Sequence, residues 1–441
     1  MFPREVKKIL SVLEAAGHSA YVVGGCVRDL LRGVEPHDYD MTTSARPEQT
    51  MALFAPHCIP TGLQHGTVTV RENHQSFEVT TFRADGPYSD GRRPDSVCFS
   101  TELNEDLRRR DFTVNAMAMD LWGVLYDPYG GQEDLRQGVI RCVGDADTRF
   151  GEDALRIMRA LRFAATLRFS VEEETARAMV RCAPRLEKIA AERIREEMTK
   201  LLCGDGAAEV LMAWPQVLGV FLPEILPCVG FDQKNRHHVY DVWTHTARAV
   251  EAAPKDALLR WTMLLHDIAK PEKFTVDEKG VGHFYGHDVR GAELAREIMH
   301  RLRFDKRSAA RIELLILWHD RNIDRTEKAI GRALNAIGEE AVRQLIAVKR
   351  ADNLAQHPDY RAVQQELDKA GEILSAVLEK ERCFSVKQLA VNGRDLMTLG
   401  LQGSAIGAAL ETLLEQVVEG TLPNEKAPLL QWVEENQNRE R

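Results

Sequence analysis

Val22-Val23-Gly24-Gly25-Cys26-Val27-Arg28-Asp29, followed by His37-Asp38-Tyr39-Asp40, is the stretch that decides how this chain is read. The apolar run at 21–23 predicts a β-strand. The Gly-Gly pair after it lets backbone N–H groups approach a ligand closely, and a helix beginning near Val27 adds its positive N-terminal end. The second segment reads as extended, so Asp38 and Asp40 point to one face. Two carboxylates so placed hold divalent metal against a polyphosphate, as phosphoryl-type transfer requires. A Gly-Gly turn alone, or an acidic loop alone, is commonplace. The order and closeness of the two give the reading its weight.

Working outward, Thr67-Val68-Thr69-Val70 and Phe77-Glu78-Val79-Thr80-Thr81-Phe82 are β-branched and alternating, hence strands. Glu78 on the second of these is placed to join Asp38 and Asp40 as a third catalytic carboxylate, helping to deprotonate an attacking hydroxyl. Residues 84–94, with two Gly and two Pro, read as a mobile loop, and Tyr126-Asp127-Pro128-Tyr129-Gly130-Gly131 as a turn. From about 146 the apolar pattern takes the 3.6-residue period of helices, at 154–165, 172–182 and 192–202. Pro215, Pro223 and Pro227 mark a break near 205–235. A His-rich helical block follows over about 236–360, then more helix with a loop around 400–407. The expectation is an α+β chain: a small α/β head with a short mixed sheet (1–145), then an elongated all-helical remainder divided into a neck (146–230), a His-rich domain (231–360) and a tail (361–441).

Two further motifs carry chemistry. Arg109-Arg110-Asp111-Phe112-Thr113-Val114-Asn115-Ala116 offers a guanidinium and a carboxylate side by side. In Gly151-Glu152-Asp153-Ala154-Leu155-Arg156-Ile157-Met158-Arg159-Ala160-Leu161-Arg162-Phe163, the residues Asp153, Arg156 and Arg159 step by three along an expected helix, with Arg162 further round. Asp supplies acceptors and Arg a rigid fork of donors, a pair suited to reading the Watson–Crick edges of cytosine and adenine without a template.

These stretches resemble the nucleotidyltransferase superfamily. More closely they resemble the bacterial class II tRNA nucleotidyltransferases (CCA-adding enzymes) and their relatives, the bacterial poly(A) polymerases. The resemblance implies a nucleotidyltransferase head in which Asp38 and Asp40 hold Mg²⁺. It implies that Gly24, Gly25, Arg28 and Arg110 contact the nucleotide and that Asp111 supports its sugar region. Asp153 and Arg156 take the base-reading roles, with Arg159 and Arg162 completing the nucleotide-binding set. Residues 88–99 look like the flexible loop thought to switch the pocket from CTP to ATP. The implied reaction adds C, C and A to the tRNA 3′ end from CTP and ATP, with pyrophosphate leaving. The tail is consistent with the family's tRNA-holding end.

The His-rich block presents His245, His266-Asp267, His287, His319 and Asp352, all on or at the ends of expected helices. A lone helical His is seldom a ligand; an adjacent His-Asp pair with four others in series is another matter. The pattern resembles the HD phosphohydrolase superfamily, where such residues bind one divalent ion, or two about 4 Å apart, that activate water for phosphoester cleavage. His245, His266, Asp267 and Asp352 match the basic metal set, His287 and His319 the extra pair of two-metal members, and Lys270 faces a substrate phosphate. A second, phosphohydrolase activity follows as an expectation.

Composition bounds the rest. At 441 residues and 44% apolar, the chain suffices for two to four domains with sizeable cores. No run approaches the roughly 18 apolar residues of a membrane span, the N-terminus shows no apolar signal core, and the eight cysteines are scattered without a C-x-x-C pair. The expected location is the cytoplasm. The net charge of −9 counts mildly against nucleic-acid binding but leaves room for a local basic surface. Two rivals remain: a poly(A) polymerase or an enzyme adding only the terminal A, and, from another class, an HD metal-dependent phosphohydrolase with an RNA-binding head.

Overall fold

The computed structural model describes residues 2–86, 96–322, 326–379 and 385–437. The loop expected at 88–99 therefore lies mostly outside the described residues. The chain divides into two compact units, Met1–Leu226 and Pro227–Arg441.

The first unit opens with α1 (Arg4–Ala15), β1 (Ala20–Val23), α2 (Gly25–Leu31), β2 (Met41–Thr43), α3 (Pro47–Leu53), β3 (Cys58–Gly62), β4 (Thr67–Glu72) and β5 (Gln75–Thr81). It continues with β6 (Arg83–Asp85), β7 (Val97–Phe99), α4 (Leu103–Arg108), β8 (Ala118–Met119), β9 (Leu125–Tyr126), α5 (Gly131–Gln137) and β10 (Val139–Ile140). The neck supplies α6 (Ala146–Glu152), α7 (Leu155–Leu167), β11 (Ser170–Val171), α8 (Glu173–Cys182), α9 (Ala191–Leu202), α10 (Ala207–Ala213) and α11 (Pro215–Leu218).

A seven-stranded sheet in the order β3-β4-β5-β2-β1-β8-β9 forms the head. It is mixed: β2 and β5 run parallel, whereas the neighbours on either side are antiparallel. The strands alternate as their sequences require, with Val68 and Val70 of β4 and Phe77 and Val79 of β5 buried and the residues between them more exposed. Helix α1 lays Val6, Ile9, Leu10 and Leu13 into the same core, a stripe at helical spacing.

Two local readings are corrected here. Helix α2 starts at Gly25, not near Val27, because Gly24 turns the chain at φ 85°, ψ −133° directly after the strand. Asp38 and Asp40 precede β2 instead of lying in it. Asp40 is nonetheless pinned to the sheet, since the Val23 amide donates to its carbonyl at 2.9 Å.

The second unit comprises α12 (Val242–Ala252), α13 (Ala257–Leu265), α14 (Lys270–Lys273), β12 (Thr275–Val276), β13 (Gly282–His283), α15 (His287–Arg301), α16 (Lys306–Trp318), α17 (Glu327–Ile337) and α18 (Glu339–Ala355). Then come α19 (Ala362–Glu379), α20 (Gly393–Thr398), α21 (Ser404–Val418) and α22 (Lys426–Gln437). Asp241, Asp256 and Asp305 cap the N-termini of α12, α13 and α16, each accepting from amides of the first turn. Helices α20 to α22 enclose a separate apolar cluster around Leu396, Leu413 and Leu429. Among the described residues, no helix is long and apolar enough to cross a membrane.

Candidate active site and metal centre

The Met41–Val79 pairing of the parallel β2–β5 ladder, carried back one residue, sets Asp40 beside Glu78. Three carboxylates thus meet beside the start of β2, at the middle of the sheet. Glu78 is pushed up from the usual range by burial and then by Asp40 and Asp38. Partial desolvation raises the Asp40 carboxyl; Arg110 pulls it back down, and Asp38 adds a further rise. Such mutual repulsion is what a divalent cation relieves. Asp38, Asp40 and Glu78 all keep an exposed side to solvent.

Arg110 lies against the Gly-Gly turn: a Cβ on Gly24 would stand 3.0 Å from its Nη1. Its other nitrogen, Nη2, donates to Asp106 Oδ2 at 3.3 Å. Asp106 also accepts from Arg109 at 3.0 and 2.7 Å and from the Thr42 hydroxyl at 3.4 Å. It is fully buried; burial opposes its charge, but Arg109 and Arg110 outweigh it and hold the carboxyl below its usual range. Arg28, expected to reach for a triphosphate, is instead turned inward. Its Nη1 donates to Asn115 Oδ1 at 2.8 Å, and Nε and Nη2 donate to Asp29 at 3.0 Å each.

Asp111 anchors the neck to the head. Its Oδ1 accepts from the Phe112 amide at 2.9 Å and Asn115 at 3.3 Å, and its Oδ2 accepts from Arg159 Nε at 2.7 Å. Burial resists ionisation, yet Arg159 and Arg156 prevail and hold the carboxyl at about 2. Arg162 pairs with Glu197 at 2.7 Å and lies 3.9 Å from the centre of the Phe163 ring, with Arg28 at 5.2 Å and Arg159 at 5.5 Å.

Asp153 is not on the helix with Arg156. It sits extended at the break between α6 and α7 (φ −144°, ψ 105°). One oxygen accepts from the Leu155 amide at 3.0 Å, and the other pairs with Arg193 at 2.7 Å. Arg156 donates to the Arg149 and Arg109 carbonyls at 3.2 and 3.1 Å and pairs with Glu152. Asp153 and Arg156 thus share the start of α7 while their side chains hold different partners. Sequence reasoning missed Asp106, Arg193 and Glu197. Asp106 had a local signal, its i,i+4 spacing to Arg110; Arg193 and Glu197 reach partners too far along the chain to leave one.

In the second unit all the expected ligands converge. Each imidazole Nδ1 meets a backbone carbonyl: His245 that of Ala355 (3.3 Å), His266 that of Met263 (2.7 Å), His287 that of Phe284 (2.8 Å) and His319 that of Ile316 (2.6 Å). A carbonyl only accepts, so each Nδ1 carries a proton and every Nε2 faces inward, where a cation can displace any proton it holds. Asp352 Oδ1 stands 2.9 Å from His245 Nε2 and 3.6 Å from His266 Nε2. Asp267 Oδ2 stands 3.4 and 3.3 Å from the same two nitrogens, while Oδ1 faces His287 and His319 at 3.5 and 3.7 Å. Two ligand groups therefore share Asp267: His245, His266, Asp267 and Asp352, and Asp267, His287 and His319.

The donor set fits divalent ions. His287 and His319 bring their Nε2 atoms 3.2 Å apart, and the buried Nε2 atoms of His245 and His266 face the carboxylates of Asp267 and Asp352. Ligand atoms converge in this way on a cation. Lys270 pairs with Asp267 at 2.7 Å and with Gln233 at 3.0 Å. The centre opens on a cavity of about 270 Å³ lined by Asn235, His238, Lys270, His283 and Tyr285.

The comparisons agree along the chain. Residues 20–141 match the poly A polymerase head domain, residues 168–227 the probable RNA and SrmB-binding site of polymerase A, and residues 236–356 the HD domain. The chain is 36% identical over 442 residues to the CCA-adding enzyme of Geobacillus stearothermophilus, covering 99% of this chain and 98% of that one. It is 52% identical over 207 residues to that of Leuconostoc mesenteroides, covering 47% of this chain and 51% of the relative. The crystal structure of the Bacillus stearothermophilus CCA-adding enzyme in complex with CTP superimposes with a TM-score of 0.77 at 32% identity, covering 100% of this chain and 99% of that one. With its three-carboxylate head, arginine-lined neck and HD-type centre in one continuous match, the chain belongs to the CCA-adding enzyme family of nucleotidyltransferases.

Proposed function

We propose that the carboxylates of Asp38, Asp40 and Glu78 and the arginines of the head and neck carry the family's reaction in this chain. That reaction is template-independent addition of C, C and A to the 3′ end of tRNA from CTP and ATP, with release of pyrophosphate. The observation that carries the assignment is the meeting of Asp40 and Glu78 across the β2–β5 ladder, next to Asp38 and facing Arg110. Asp38 and Asp40 would hold Mg²⁺, which would supply charge neutralisation for phosphoryl transfer. Glu78 accepts the proton of that hydroxyl. Gly24 and Gly25 let the nucleotide come close, Arg110 meets its phosphates, and Arg28 braces the turn from behind. Asp111, Arg159 and Arg162 shape the sugar side, and Asp153 and Arg156 read the base once they exchange their present partners for it. The division of labour is head 1–145, neck 146–230, HD-type domain 231–360 and tRNA-holding tail 361–441, at work in the cytoplasm.

The test is incorporation of labelled CTP into a tRNA transcript lacking CCA. Asp40→Ala should lose at least about three orders of magnitude in rate while keeping its fold. An Asp40→Ala rate within a few-fold of the unaltered chain would remove these carboxylates from the reaction.

The second unit supports a second reading, metal-dependent phosphohydrolysis. His245, His266, Asp267 and Asp352 hold one divalent ion, and Asp267, His287 and His319 a second. Ions so held would supply Lewis acidity to a water and to a phosphoester. The converging ligand atoms carry this reading.

A further inference from the structure

We propose that Lys349 is a positioning residue for the metal centre, fixing the gap between its two halves; this rests on reading that centre as a two-ion site. Asp352 serves only the half with His245 and His266, and His319 serves only the half with His287. They lie on different helices: Asp352 within α18, His319 directly after α16. Lys349 precedes Asp352 by one helical turn and so shares its face. Its ammonium crosses to the other half, donating to the main-chain carbonyl of His319 at 2.6 Å.

That carbonyl belongs to the end of α16, where backbone acceptors lack helical partners and a cation is favoured. The His319 ring is already held from its far side, Nδ1 donating to Ile316. With its backbone tied to α18 as well, the ring has a fixed point from which to face Asp267. Farther along, Arg311 of α16 reaches Gln344 of α18 at 2.8 Å. Arg311 also reaches Glu340 of α18 at 3.2 Å, so the helices are tied at two places, and Lys349 is the tie beside the ligands. Its ammonium is largely enclosed: burial disfavours its charge, while nearby Asp352 and Asp320 favour it. An enclosed lysine committed to a carbonyl holds structure in place.

Mn²⁺ binding to the full chain tests this, with stoichiometry read by elemental analysis and coupling between ions by electron paramagnetic resonance. The unaltered chain should take up two spin-coupled ions at this centre, counted as the excess over Asp267→Asn, which keeps the carboxylates of the head. Lys349→Met keeps the apolar stem and removes the donor. It should retain one ion at unaltered affinity, bind the second at least about ten-fold more weakly, and lose the coupled signal. Lys349→Arg, which keeps a donor, should restore much of the coupling. Incorporation of CTP into tRNA and the circular dichroism spectrum should be unchanged in both, reporting an intact fold. Two coupled ions at unaltered affinity in Lys349→Met would overturn the proposal. Failure of the unaltered chain to take up a second ion would instead overturn the two-ion reading beneath it.

Discussion

Asp106 lies fully buried between two arginines, and its consequences are those of a charge that cannot leave. It aims Arg110 across Gly24 and holds Arg109 beside it. Asp106→Asn keeps the shape but weakens three charge-assisted hydrogen bonds, each contributing about 1.5–3 kcal/mol. The KM for CTP should rise roughly ten-fold or more, with a smaller fall in kcat; equal losses in both would point to a general loss of fold. Asp111 allows a pH test. Its folded value of about 2 lies below the ordinary aspartate value, so the ionised form is favoured by folding. The contribution, about 2 kcal/mol, is complete above pH ~4 and fades as pH falls towards 2. Asp111→Asn should therefore be less stable to denaturant near neutral pH, and its deficit should shrink through that acid window. The residues proposed to carry chemistry could be singled out because each sits in a compact local pattern. Their supports, Arg193 and Glu197, could not, because Arg193 and Asp153 or Glu197 and Arg162 meet only after the neck has folded.

At the scale of elements, periodicity located the strands and helices but not their breaks. The steps from Asp153 to Arg156 to Arg159 fit one continuous helix. The chain instead leaves the helix at Asp153, whose carboxylate caps the new turn through the Leu155 amide. An acceptor that competes for its own backbone carries no mark in the hydrophobic pattern. Likewise the pairing of β2 with β5, which brings Glu78 to Asp40, joins segments that no local rule connects. The Gly-Gly turn is the element whose role the sequence exposed most directly. Gly24 has φ 85°, and a Cβ there would press on Arg110. Gly24→Ala should cost about 1–2 kcal/mol in backbone strain and displace Arg110. The expected result is a folded protein with CTP incorporation reduced at least about ten-fold; unaltered incorporation would show that the cradle tolerates a side chain.

For the whole molecule, the division into an α/β head and a helical remainder was visible in the change from alternating to 3.6-residue periodicity. The ligands of the HD-type centre, scattered over helices α12 to α18, were legible as a series, and the sharing of Asp267 between two ligand groups was not. That sharing gives a clean separation of activities. Asp267→Asn should abolish tight binding of both ions, measured by elemental analysis after dialysis. CCA addition should remain within about two-fold, because the transferring carboxylates lie in the other compact unit.

The most direct test of the central claim uses three tRNA transcripts, ending before CCA, after C and after CC. Each is incubated with Mg²⁺ and labelled CTP, ATP or both, and the products are resolved at single-nucleotide length. The account predicts growth by C, C and A that stops there, whichever end is supplied. A long adenosine ladder, addition of A alone to the CC-ended transcript, or no incorporation at all would contradict it.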